Sequence, residues 1–117
     1  MTDASSIAKV VVAALNARDF AALAEAVDED VAIAGIGGGM DNGCEALRAR
    51  LANRFRALDE TYGAAQVLGG ETGGAVAIRL TARGTATGGS YSQEKILLLD
   101  MEDGLITRIA FFSADER

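Results

Sequence analysis

Apolar residues recur along the first part of the chain at helical spacing. Ile7, Val10, Val11, Ala14 and Leu15 stand at i, i+3, i+4, i+7 and i+8, one face of a helix, with Lys9, Asn16 and Arg18 on the other side. Asp3 or a neighbouring serine suits its N-cap. Asp19 suits the cap of a second, short helix whose apolar face is Phe20, Leu23, Ala24 and Val27. Asp28, Glu29 and Asp30 follow, where the helix dipole disfavours negative charge, so this helix should stop and residues 31–34 become a short strand. Asn42 followed by Glu45 is a capping-box pattern for a third helix over residues 44–58. Leu47, Leu51, Phe55 and Leu58 line its apolar face. Arg48, Arg50, Arg54 and Arg56 read as solvated side chains with covered stems rather than as an anion site.

After Tyr62-Gly63 the period changes from helical to alternating. Residues 64–68 form one strand candidate and residues 75–87 a second. On the second, Val76, Ile78, Leu80 and Ala82 share one face and Ala77, Arg79, Thr81 and Arg83 the other. Its alanines leave open which face looks inward. Gly88-Gly89 is a turn into residues 90–113, which read as two long strands joined at Glu102-Asp103-Gly104, where glycine accepts the positive φ of a hairpin turn. The unbroken apolar run 96–99 implies a strand covered on both faces. Phe111 and Phe112 must split across the two faces of the last strand. Helices first and strands in a meander afterwards predict a single α+β domain over residues 1–117 with an antiparallel sheet.

At 117 residues, half of them apolar, the chain supports one core. Its net charge of −6 and lack of a basic cluster argue against nucleic acid. The longest strictly apolar run, residues 10–15, is far short of a membrane span, and the polar N-terminus lacks the pattern of a signal peptide. One cysteine, Cys44, precludes an internal disulfide and fits the cytoplasm.

The chain has no histidine, which removes serine–histidine triads and histidine-based metal sites and leaves acid–base chemistry to carboxylates, lysine, tyrosine or cysteine. No cofactor or metal is expected. The glycine-rich stretch 35–43 fails as a dinucleotide fingerprint because Met40 replaces the third glycine, so it reads as a surface loop with Met40 over a pocket mouth. Cys44 at a helix start reads as structural, since no histidine can activate it. Glu94, on a strand running into the core, is either a pocket acid or an ion-pair partner. Arg79 and Arg83 share a face with Thr81 that reads as exposed or inter-subunit rather than as an anion site. Phe55 and Tyr62 read as core or pocket wall.

Four segments in this order resemble the nuclear transport factor 2-like superfamily, which includes ketosteroid isomerases, SnoaL-like polyketide cyclases and epoxide hydrolases. They are Asn16-Ala17-Arg18-Asp19-Phe20, Glu29-Asp30-Val31, Asn42-Gly43-Cys44-Glu45-Ala46-Leu47 and Asp103-Gly104-Leu105-Ile106-Thr107-Arg108-Ile109. The resemblance implies a cone, in which three helices pack on the concave face of a curved sheet around an apolar pocket. It also implies a homodimer through the outer sheet face, which would cover residues 96–99.

Fold does not settle activity. The resemblance implies, for a ketosteroid isomerase, a tyrosine near Val11, an aspartate base at Ala34 or Gly35 and a second, protonated aspartic acid near Ile96. All these positions are apolar or lack a side chain, which argues against that mechanism. Asp41, Glu94, Asp100 and Asp115 remain as carboxylates for a cyclase or hydrolase, and none matches a family motif. The expected pocket wall is Val11, Met40, Leu51, Phe55, Tyr62, Glu94, Ile96 and Phe111, with Glu94 the one catalytic candidate. The expected ligand is a small apolar molecule.

Overall fold

The computed structural model describes residues 4–36, 39–69, 74–86 and 89–113. Asp3, Thr87, Gly88 and Asp115, singled out above, lie outside them. Three helices, α1 (Ala4–Ala17), α2 (Phe20–Ala26) and α3 (Cys44–Leu58), pack against one six-stranded sheet. The strands are β1 (Val27–Ala34), β2 (Asp41–Asn42), β3 (Thr61–Gly69), β4 (Ala75–Ala86), β5 (Gly89–Glu102) and β6 (Leu105–Ser113), in the order β2-β1-β6-β5-β4-β3. The expected α+β architecture is present, with one difference. The sheet is mixed, because β1 runs parallel to β6 while every other pair is antiparallel. The meander from β3 to β6 leaves the outer edge of β6 to the strand that arrives from the helices, and that strand enters in the same direction.

Helix ends follow local chemistry. Asp19 caps α2, its carboxylate accepting from Ala22 N at 3.1 Å. Arg18, just past α1, takes a left-handed φ of 58°. The acidic triplet 28–30 does not follow α2 but lies within β1, whose register with β6 breaks between Val27 and Ala32. That break lets Glu29 and Asp30 stay exposed while Val27 and Val31 are buried. Asn42 does not cap α3. It is paired with Ala32 in β2, and Gly43, at φ 108°, stands at the cap with no side-chain bond.

The core lies between the helices and the inner face of the sheet. Val76, Ile78, Leu80 and Ala82 of β4 are buried, which decides the face that alanines left open. In register with them, Leu97 and Leu99 of β5 and Ile109 and Phe111 of β6 are buried too. Val10, expected on the inner face of α1, is 49 % exposed, and Ala8 takes its place beside Ile7, Val11, Ala14 and Leu15. The narrower face suits a helix that packs on β3 and α2 from the side. Asn16 joins α1 to β3 by two hydrogen bonds with the backbone of Tyr62: Asn16 Nδ2 donates to the carbonyl at 2.9 Å, and Asn16 Oδ1 accepts from the N–H at 2.8 Å. The turn before β6 places both Asp103 and Gly104 at positive φ, 53° and 83°. Among the described residues no helix is long and apolar enough to cross a membrane.

Gly35 follows β1 at φ 78°, and a Cβ there would collide with the Phe111 carbonyl. The obstacle is backbone of β6, which cannot swing aside as a flexible side chain could. Gly35→Ala is expected to lower unfolding free energy by at least about 2 kcal/mol in urea melts, through strain and the separation of β1 from β6.

Candidate functional site

Five of the residues expected to line a pocket are brought together inside. Val11, Leu51, Phe55, Tyr62 and Phe111 are all buried members of one core cluster. Their rings form a chain from the helices to the sheet. Phe20 stacks on Phe55 at 6.5 Å between centroids, Phe55 meets Tyr62 edge-on at 6.3 Å, and Tyr62 tilts against Phe111 at 5.7 Å. The Arg18 guanidinium lies 3.6 Å over the Phe55 ring, which seals the helix side of this chain.

The other three stand elsewhere. Met40 is 72 % exposed on the loop before β2. Glu94 and Ile96 share the outer face of β5, because Lys95, Leu97 and Leu99 occupy the inner one. Glu94 accepts from Arg79 Nε at 3.1 Å and from the Thr81 hydroxyl at 2.9 Å. These two bonds hold its carboxyl below the ordinary range, which is the opposite of what a pocket acid needs. Asp41 is likewise held down by the Asn42 N–H and by Arg50, and Asp100 lies on the outer face opposite Arg108. Cys44 donates weakly to the Asp28 carbonyl at 3.7 Å. Burial, followed by the acids around it, pushes its thiol up, so it is no nucleophile.

Sequence reasoning passed over the group that dominates the interior. Glu60 is 0 % exposed. The turn that places it begins with Asp59, left-handed at φ 47°, whose N–H closes α3 on the Phe55 carbonyl. Glu60 Oε1 accepts from Arg54 Nε at 2.7 Å and from the Tyr62 hydroxyl at 2.6 Å. Glu60 Oε2 accepts from Arg54 Nη2 at 3.2 Å and from the Tyr91 hydroxyl at 2.5 Å. Two of the helix arginines are therefore not simply solvated. Arg54 forks onto Glu60, and Arg50 Nη1 donates to the Ile36 carbonyl at 2.6 Å, tying α3 to the loop after β1. Tyr91 can reach Glu60 because its partner across the strand pair is Gly84. A Cβ on Gly84 would meet the Leu58 carbonyl at 2.6 Å and the Tyr91 hydroxyl at 3.0 Å.

Burial alone would push Glu60 up, but the bonds from Arg54, Tyr62 and Tyr91 outweigh it and hold the carboxyl below its ordinary value of 4.5. Both tyrosines move the other way. Burial and then the bond to Glu60 raise Tyr62 far above its usual value and push Tyr91 up to about 12. A carboxylate that already accepts four bonds is a poor proton acceptor, and tyrosines that donate to it are poor proton donors to anything else. In this arrangement the carboxylate and both hydroxyls are committed to one another. On the Tyr91 side it borders an open hollow of about 350 Å³ lined by Arg54, Leu58, Tyr91, Ser92 and Gln93.

A lowered folded-state pKa means that the Glu60 contribution is complete above about pH 4.5 and is lost as pH falls through the folded value. Glu60→Gln should cost about 3 kcal/mol at pH 7, because Arg54 loses its partner. It should also flatten the acid limb of stability against pH, as read by denaturant melts from pH 3 to 7.

The sequence pattern of the SnoaL-like domain matches residues 8–109. Among solved structures, a cystatin-like protein of unknown function from Xanthomonas campestris is 27 % identical, with a TM-score of 0.84, over 97 % of this chain and 92 % of that one. A protein from Pseudomonas putida KT2440, described provisionally as a polyketide cyclase, is 21 % identical with a TM-score of 0.86, over 96 % and 92 %. An epoxide hydrolase of the LEH-like kind from M. tuberculosis is 15 % identical with a TM-score of 0.75, over 94 % and 81 %. No curated protein matches the chain significantly. The fold, the order of its elements and the match along nearly its whole length agree: the chain belongs to the SnoaL-like domain family.

Proposed function

We propose that this protein binds a small, largely apolar molecule between its helices and its sheet, and that it does so as a cytoplasmic homodimer. The observation that carries this reading is the saturation of Glu60 beside the aromatic chain Phe55, Tyr62 and Phe111. An interior rich in rings, whose carboxylate is already committed to four donors, favours holding a ligand over abstracting a proton from it. The dimer reading is supported by the outer face. Ile96 and Leu98 point away from the core, and Phe112, across from Ile96, is 46 % exposed. A second copy laid on this face would cover all three. The lone thiol supports the cytoplasm.

The descriptions of two similar structures as a cyclase and an epoxide hydrolase favour a second reading, a carboxylate enzyme acting on a similar molecule. It would need a carboxylate with spare acceptor capacity inside the fold.

Native mass spectrometry of the purified protein, followed by denaturing extraction, tests the first reading. A dimer that releases an apolar compound is expected. Protein that carries nothing and gains no thermal stability from a panel of apolar compounds would overturn the binding. Phe112→Glu should convert the dimer to a folded monomer in sedimentation velocity with unchanged far-UV circular dichroism. A wild-type protein that is already monomeric would remove the dimer.

A further inference from the structure

The hollow beside Tyr91 is built around a charge pair that cancels. Glu60 is ionised, so it can only accept, and both tyrosines spend their single proton on it. The Tyr91 oxygen is left as an acceptor at the wall of the hollow. Arg54 spends Nε–H and one N–H of Nη2 on Glu60, which leaves three of its five N–H groups outside that pair. Arg54 Nη2 and the Tyr91 hydroxyl bond the same oxygen, Glu60 Oε2, at 3.2 and 2.5 Å. A guanidinium donor and a phenolic acceptor therefore stand side by side on one wall. Gly84 faces Tyr91 across the strand pair, and because a Cβ there would stand 3.0 Å from the Tyr91 hydroxyl, the bare glycine makes the room that this placement needs.

Resting on the binding function above, we propose that this wall reads a neutral hydroxyl on the bound molecule, which donates to the Tyr91 oxygen and accepts from the Arg54 guanidinium. The chemical class is an uncharged alcohol or phenol on an apolar body. A carboxylate ligand would compete with Glu60 for Arg54 beside an existing negative charge. An ammonium would face the guanidinium. An ether or ketone could accept from Arg54 but would leave the Tyr91 oxygen unpaired.

The test is a titration of the ¹⁵N-labelled protein with 2-naphthol, 2-methoxynaphthalene and 2-naphthoate, three probes with one ring system. 2-Naphthol is expected to shift the amides of Tyr91, Ser92 and Gln93 and the Arg54 Nε–H. It should bind about tenfold tighter than either of the others, the worth of one well-placed hydrogen bond. Tyr91→Phe should remove the advantage of 2-naphthol over the methyl ether, bringing the two probes to equal affinity in that variant. Should that variant fail to fold, the comparison of alcohol with ether on the unaltered protein decides the matter. Equal affinity for the three probes, shifts confined to Phe55 and Phe111, or no binding of 2-naphthol would each overturn the hydroxyl readout. In the second case the apolar pocket stands without it. A co-purified compound in the mass spectrometer judges the pocket separately.

Discussion

The buried carboxylate of Glu60 is the constraint around which this fold closes. An ionised carboxylate taken out of water costs several kcal/mol unless its lone pairs are met. Here four donors meet them, drawn from three different elements: Arg54 of α3, Tyr62 of β3 and Tyr91 of β5. None of these can shift alone without stranding the charge. The end of α3, the start of β3 and the far end of the β4–β5 pair are therefore held in one arrangement. Gly84 permits it, since a side chain there would collide with both the Leu58 carbonyl and the Tyr91 hydroxyl.

The other polar contacts of the helices act in the same sense at smaller scale. Asn16 holds the Tyr62 backbone from α1, Arg18 covers the Phe55 ring, and Arg50 holds the Ile36 carbonyl and Asp41. These three side chains each latch one element to another around the aromatic chain. Tyr62 belongs to both systems, with its ring between Phe55 and Phe111 and its hydroxyl on Glu60. The outer sheet face is built differently. It carries the exposed Arg79–Glu94 pair, and an apolar middle of Ile96, Leu98 and Phe112 that the helices do not cover.

The same saturation separates positioning from proton transfer. A general base needs a free lone pair and a pKa near working pH. Glu60 has neither, and Glu94 is held ionised on the outer face by Arg79 and Thr81. The buried cluster instead fixes how Arg54 and Tyr91 stand at the hollow.

The third helix was legible to the residue in its span, as were the long hairpin of β5 and β6 and the cap at Asp19, because each rests on residues a few positions apart. The family was legible for a similar reason, as four local motifs in order. The fault lines lie where local signals had distant competitors. Asn42 carried a capping pattern but was taken by β1, and the acidic triplet was taken from the end of α2 into a strand. Glu94 and Ile96 were placed inside by the apolar run beside them, whereas the alternation of β5 turns them out. Glu60 lies in the turn between α3 and β3, outside the reach of strand or helix alternation, so no period along the chain marked it as buried. What periodicity carries is which positions lie on the same side, a property of neighbours along the chain. Which carboxylate is buried, and which arginine and tyrosines are brought to it across 6 and 31 positions, was decided only when α3, β3 and β5 met, because desolvation acts on groups close in space whatever their distance in sequence.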